Sequence, residues 1–249
     1  MPSDDRCPRG ETTLTETEVT FSTDCEATIQ DFMGDDDAII KAMLVSTKGH
    51  DAQDATATYG RINFLMKNRH GTPFEHNAME FFVAAPIKVF REFHRHRIGF
   101  WYNEVSGRYR QLDSKFYIPG PKRPLVQVGK PGAYTYVPGT PEQYERTVNR
   151  IKRNSIACYN EYEELLADGI AKEVARDVLP VNIFSEMFVT LNARSMMSFL
   201  SLRTSDERAM IPSTPMYEIE MVARKMEIAF EAIFPMTYKA FNDNGRQAP

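Results

Sequence analysis

Apolar and polar positions along this chain fall into stretches of distinct period, and those periods predict its elements. Residues 1–18 are polar and acidic with no apolar rhythm, and read as a flexible N-terminal segment ahead of one domain over 19–245. AIIKAMLV (38–45) predicts a short helix or strand leading to Ser46, and the spacing over 54–69 predicts a helix. Thr72-Pro73-Phe74-Glu75 has the form of a capping box with proline at the first helical position. AMEFFVAA (78–85) reads as a buried strand. Ile87, Phe90 and His94 then recur at helical spacing.

Six prolines between 119 and 141 predict a long irregular loop, a form often used for lids or subunit contacts. Thr140-Pro141-Glu142-Gln143 is a second capping box, opening a helix with Tyr144, Val148, Ile151 and Tyr159 on one face. KEVARDVL predicts a further short helix and MFVTLN (187–192) a strand. Asn192 is placed to cap the helix ARSMMSFLSLR, and a last amphipathic helix covers 216–233. With no internal repeat and no clean linker, a single α/β domain is the simplest architecture.

Composition narrows the class without choosing a function. The hydrophobic fraction of 42% and charged fraction of 26% are those of a globular protein, and a net charge of −4 gives no general attraction for nucleic acid or membrane. No apolar run reaches the length of a membrane span and no signal-peptide core is visible, so a cytoplasmic protein is expected. Cys7, Cys25 and Cys158 are odd in number and widely spaced, which fits neither a disulfide framework nor a zinc cluster.

The chemistry concentrates in one region. Four of the five histidines lie between residues 70 and 96, and REFHRHRIGFWYNEVSGRYR (91–110) adds five arginines. An acidic protein that gathers its basic groups this tightly is building a local anion site, although charge-dense runs are often merely solvated helix faces. Ser106-Gly107-Arg108 offers a hydroxyl, open backbone N–H groups and a planar fork for phosphate. Phe93, Phe100, Trp101, Tyr102 and Tyr109 supply rings that suit stacking on a base or a flavin. A metal site is disfavoured: His94 and His96 are two apart, no carboxylate follows at a familiar ligand spacing, and arginines flank His96.

These residues resemble the signature of the flavin-dependent thymidylate synthases, R-H-R-x-x-S-x-N-E-x-S-x-R-Y. It runs here as Arg95-His96-Arg97, then IGFWY, then Asn103-Glu104-Val105-Ser106-Gly107-Arg108-Tyr109. The segments HGTPFEH (70–76), FYIP (116–119), EVARDVLP (173–180) and NARSMMSFLSLR (192–203) extend the likeness over about residues 30 to 240. The resemblance implies an α+β domain with a mostly antiparallel central sheet and packed helices. It also implies a homotetramer with active sites at subunit interfaces, FAD as cofactor, NADPH or NADH as reductant and methylenetetrahydrofolate as carbon donor. Carried over residue by residue, Ser46, His70, Thr72, Glu75, Arg95, His96, Arg97, Asn103 and Asn192 would contact FAD. Ser106, Gly107, Arg108 and Arg176 would hold the nucleotide phosphate, Glu104 would lie beside the nucleotide, and Arg203 would reach the uracil ring. Arg194 is a weaker candidate. Plainer roles compete: Thr72 as a helix cap, Arg176 as a surface residue, Arg203 as a partner of a helix C-terminus.

No cysteine falls in the signature, and Cys158 reads as a core residue of its helix. Carbon 5 of uracil would then be activated by fixed positive charge near its carbonyl oxygens, from Arg203 and Arg95. The departures from the family pattern gather at the nucleotide end. One extra residue separates Arg97 from Asn103, Trp101 or Phe100 replaces a serine, and Glu92 stands where glutamine is common. Ser198 and Glu207 replace Asn and His, and a segment containing MIPSTP follows Arg203. A carboxylate at Glu92 suits two sugar hydroxyls better than one, so UMP stands beside dUMP as the expected substrate. A non-catalytic flavin- or nucleotide-binding protein and a metal-dependent hydrolase are the readings from other classes.

Overall fold

The computed structural model describes residues 18–49, 54–130 and 133–249, so the expected flexible segment lies almost wholly outside the described residues. Strands β1 (Thr20–Ser22) and β2 (Glu26–Met33) are followed by helices α1 (Asp36–Lys48) and α2 (Tyr59–Lys67). A 3-10 turn over Thr72–Glu75 leads into β3 (Ala78–Pro86), α3 (Ile87–Phe93) and β4 (Phe100–Glu104). Next come β5 (Lys115–Tyr117), β6 (Val126–Lys130), β7 (Ala133–Val137), α4 (Pro141–Ala167) and α5 (Lys172–Ala175), the last running into a 3-10 turn at Arg176–Val178. The chain closes with β8 (Phe184–Leu191), α6 (Ala193–Arg203), α7 (Tyr217–Ile233) and α8 (Pro235–Asp243).

The central sheet has the order β2-β3-β8-β4 and is antiparallel throughout. Alternation places Met79, Phe81 and Val83 of β3 and Met187, Val189 and Leu191 of β8 on one face, all buried. That face packs with Phe199 of α6 and Ile219, Met226 and Phe230 of α7 in a single core. Each such side chain contributes about 1.5–3 kcal/mol on burial. The opposite face is partly open, with Phe188 44% and Trp101 61% exposed. Helices gathered on one face of an antiparallel sheet are the expected α+β arrangement in a single domain.

Several local expectations change. AIIKAMLV is helical: Asp35 caps α1 by accepting from the Ala38 backbone N–H, and Ile39, Ile40 and Leu44 are buried. The helix expected from residue 54 begins only at Tyr59, capped by Thr58, and Asp54 instead pairs with Arg61 at 2.8 Å. The box at 72–75 does not form. Gly71 occupies the cap position of that 3-10 turn with no side-chain bond, and Glu75 turns away to pair with Arg194. The loop expected over 119–141 contains the hairpin β6–β7, because Val-Gln-Val and Tyr-Thr-Tyr alternate between the prolines. The box at Thr140 does form, with both reciprocal bonds present. Cys158 is only partly buried, whereas Cys25 is enclosed completely.

Candidate active site

The connection from α3 to β4 carries the signature and is locked from both sides. The Tyr102 hydroxyl donates toward the backbone carbonyls of Phe93 and His96, each at 2.7 Å. Burial raises the Tyr102 pKa, so the hydroxyl stays a donor. At Gly99 the chain turns with φ +66°, and a Cβ there would sit 2.2 Å from Ser195 Oγ. Only glycine permits that approach. Ser195 Oγ donates to the Ile98 carbonyl at 2.9 Å, while Asn192 caps α6 by accepting from the Ser195 N–H at 2.9 Å. The cap predicted at Asn192 therefore also fixes the signature loop against α6.

Inside this frame lies a compact polar group. His96 is buried against the rings of Phe100 and Phe199, with centroids 5.6 and 5.0 Å away. Burial, and secondarily the Arg203 charge, push its pKa down to about 4, so the imidazole is neutral at pH 7. Arg203 Nε donates to His96 Nε2 at 2.9 Å, which leaves the imidazole proton on Nδ1. The same guanidinium pairs with the Glu92 carboxylate at 2.5 Å and reaches the Glu92 carbonyl at 3.2 Å. Arg203 is thus held on three sides by groups drawn from α3 and the loop after it. A helix-end partner role does not account for those contacts.

Two cavities flank the signature and share no lining residue. The first, of about 430 Å³, is lined by Glu75, Gly99, Asn192, Arg194, Ser195 and Ser198, among others. Arg194 lies across Gly71, pairs with Glu75 at 2.5 Å and donates to the Pro249 carbonyl at 2.8 Å. It is a more central residue than its sequence neighbourhood indicates. The second cavity, of about 420 Å³, brings together Glu104, Gly107 and Arg176 with Arg91 and Ser185. Ser185 Oγ is buried there without a hydrogen-bond partner among the described residues.

The remaining predicted residues are not among the lining of either cavity. Arg95 and Arg97 are exposed on either side of buried His96 and take no carboxylate among the described residues. Thr72 and Ser46 are exposed, and His70 stands edge-on to Phe64. Asn103 faces outward on β4, and Ser106 Oγ accepts weakly from the Arg108 N–H at 3.4 Å. The Arg108 side chain is occupied by Glu173 at 2.7 Å. Sequence reasoning passed over Arg91, Ser185 and Ser195. The adjacency of Arg91 to the R-H-R triplet was the available signal for the first; nothing in the sequence marks Ser185.

Neither described cysteine lines either cavity. The Cys25 thiol is pushed up to about 12 by burial and by the nearby charges of Glu218 and Asp24, which leaves it inert as a nucleophile at neutral pH. No group of three or more His, Cys, Asp or Glu among the described residues could hold a metal ion.

Comparison with known proteins identifies the family. The family model described as "Thymidylate synthase complementing protein" matches residues 28–236. The flavin-dependent thymidylate synthase of Streptomyces avermitilis is 52% identical over 219 residues, covering 86% of this chain and 89% of that protein. That of Thermotoga neapolitana is 37% identical over 211 residues, covering 85% and 88%. Among solved structures, the UMP/dUMP methylase PolB of Streptomyces cacaoi bound with 5-Br UMP superposes with a TM-score of 0.86 at 42% identity, over 93% of this chain and 99% of that one. Its form bound with 5-Br dUMP gives a TM-score of 0.87 at 44% identity, over 93% and 100%. A match of this extent shows that the chain belongs to the thymidylate synthase complementing protein family, that of the flavin-dependent thymidylate synthases.

Proposed function

We propose that this protein methylates carbon 5 of the uracil ring of a uridine monophosphate, with methylenetetrahydrofolate as carbon donor and NADPH or NADH as reductant. The observation that carries this reading is Arg203. The guanidinium at the end of α6 is held against a neutral histidine and a carboxylate from the signature region, which has no cysteine. Its positive charge is fixed before substrate arrives. Electrostatic stabilisation of this kind acts on charge that develops at a carbonyl oxygen, as when carbon 5 attacks an electrophile. Arg95, exposed beside His96, supplies a second charge. Arg176, with Gly107, Ser106 and Arg108, receives the phosphate, and Glu104 lies along the nucleotide.

The residues present suit FAD. Arg95 and Arg97 are free for a diphosphate, and the cavity holding Glu75 and Asn192 presents polar groups on either side of the Gly99 turn. When bound, the flavin supplies the hydride that completes the methyl group. The chain's own share is to orient the ring, hold the charge at Arg203 and exclude a competing thiol.

Cofactor-side and nucleotide-side groups occupy separate cavities of one chain. This supports sites completed by a second copy, as a homotetramer provides. Free cysteines, and the lack of any helix among the described residues long and apolar enough to cross a membrane, support a cytoplasmic setting. dUMP is the first substrate to offer, in keeping with the 52% identity to a thymidylate synthase. Glu92 favours a second reading, UMP, because its carboxylate lies beside Arg203 where it can accept from sugar hydroxyls.

The test is tritium release from dUMP and UMP labelled at carbon 5, with FAD, NADPH and methylenetetrahydrofolate, and mass analysis of the product. Release with a methylated product from either nucleotide supports the proposal and identifies the substrate. Release from neither, by protein that retains FAD, overturns it in favour of a binding protein.

A further inference from the structure

The cavity that holds Glu75, Gly99, Asn192 and Ser198 has one wall that neither the signature nor α6 supplies. Ala248 and Pro249, from the segment that follows α8, complete its lining. Pro249 is buried, and Ala248 packs against the main core. Two arginines secure the segment, Arg246 and Arg69, and they are the two non-glycine residues with positive φ among the described residues, at +54° and +57°. A residue with a side chain is costly in that region and persists where its surroundings enforce it. Arg246 is enclosed completely and fixes the start of the segment. Arg69 stands just past α2, where the His70 N–H donates to the Leu65 carbonyl at 2.9 Å and closes the helix. Glycine is the usual residue in such a turn. The arginine there uses its side chain at long range: it donates to the Gln247 side-chain oxygen at 2.8 Å and to the Ala248 carbonyl at 2.9 Å, across 178 and 179 residues.

Beyond Arg69 the segment reaches Arg194. Arg194 Nε donates to the Pro249 carbonyl at 2.8 Å, and Nη1 pairs with Glu75 at 2.5 Å. The guanidinium lies across Gly71, where a Cβ would sit 2.5 Å from Cζ. Its third nitrogen, Nη2, takes no hydrogen bond among the described residues. A planar guanidinium fixed at two of its nitrogens is oriented in advance, and the remaining donors suit an anionic or carbonyl oxygen of a ligand. Arg69 is not part of the cavity lining, so it acts there only through the segment it holds.

We propose that Gln247, Ala248 and Pro249 form a strap that walls the flavin cavity and sets the Arg194 guanidinium for the cofactor, with Arg69 as the positioning residue that clasps it. The inference rests on the reading of this cavity as the FAD side of the site. The test is the rate of FAD release from the FAD-loaded full chain, followed as flavin absorbance in the filtrate after rapid ultrafiltration. Arg69→Ala should speed release about tenfold, the scale of hydrogen bonds from a charged donor, and Arg69→Lys should restore part of the loss. Deletion of Gln247, Ala248 and Pro249 should speed release at least as much, and adding Arg69→Ala to the deletion should change nothing further. A purely structural clasp would instead lower the thermal midpoint of the flavin-free protein and leave the release rate alone. An unchanged release rate in Arg69→Ala, or an equal acceleration by Arg69→Ala with and without the strap, would overturn the proposal. Ser198→Trp separates this from the reading beneath it, because it fills the cavity at a position away from the strap. Loss of FAD loading in Ser198→Trp supports the cavity as the flavin side, so that a failure in Arg69→Ala then counts against the strap alone. Normal loading and release in Ser198→Trp would overturn both.

Discussion

Arg203 and Arg246 are both arginines drawn into the interior, and their surroundings divide the charge proposed to act on substrate from an architectural one. Arg246 is 1% exposed, sits at φ +54° and lies over the Phe241 ring. Glu227 at 2.7 Å, Asp206 at 3.4 Å, Asn242 at 2.7 Å and Thr204 at 2.8 Å enclose it. Two carboxylates, shared with Arg208 and Arg224, pair with it and nothing faces outward. Arg203 keeps 15% of its side chain exposed and has one carboxylate, one carbonyl and one neutral imidazole. A neutral partner orients a guanidinium without cancelling its charge, and the open side leaves room for a substrate. Enclosure marks Arg246 as architectural, and the open side of Arg203 supports the role proposed for it.

The comparison is broken or sharpened by substitution at each end. The largest effect is expected from Arg246→Leu, which removes the buried partner of Glu227, Asp206, Asn242 and Thr204 at once, leaving Glu227 with Arg224 and Asp206 with Arg208, and should cost about 3–5 kcal/mol in urea unfolding. Arg203→Ala should instead lower turnover by about 10²–10³-fold while the thermal midpoint moves far less than in Arg246→Leu. Equal losses of stability in the two variants would erase the distinction.

His96 gives the next effect, through pH. Its folded pKa of about 4 lies below the ordinary 6.5, so between those values the unfolded chain binds more protons than the folded one. Stability from this group is complete above pH 6.5 and is lost as pH falls towards 4, by about 3 kcal/mol at most. His96→Asn should flatten the unfolding free energy over that window. The smallest effect is specific: Glu92→Gln should lower the UMP-to-dUMP turnover ratio about fivefold, the difference between a charged and a neutral acceptor. An unchanged ratio would remove Glu92 from the specificity argument.

Much of this organisation was legible in the sequence where the determinants are local. The cap at Asn192, the box at Thr140 and the alternation of β3 depend on residues a few positions apart, and all three formed. β2 went unread because its alternation breaks between Ile29 and Asp31 and most of its side chains face outward. Prolines masked the β6–β7 hairpin. α8 was missed because its start is secured by Asp36, whose buried carboxylate accepts from Thr237 Oγ1 at 2.6 Å across 201 residues. The site divides in the same way. The signature pointed to Arg95 and His96 and the downstream segments of the family resemblance to Arg176 and Arg203, but the pairing of Arg194 with Glu75 spans 119 residues and leaves no local trace. Nor does any periodicity separate Arg203 from Arg246.

Trp101 is the only tryptophan of the chain, and it stands on the open face of the central sheet. The indole fluorescence of this protein therefore has one source, located on β4 beside Asn103 and Glu104. Emission should shift to shorter wavelength when a second copy or a stacked ring covers that face, and dilution should reverse a shift that comes from assembly. The extra bulk in the signature loop thus doubles as an optical label, native to the chain, for events on that side of the sheet.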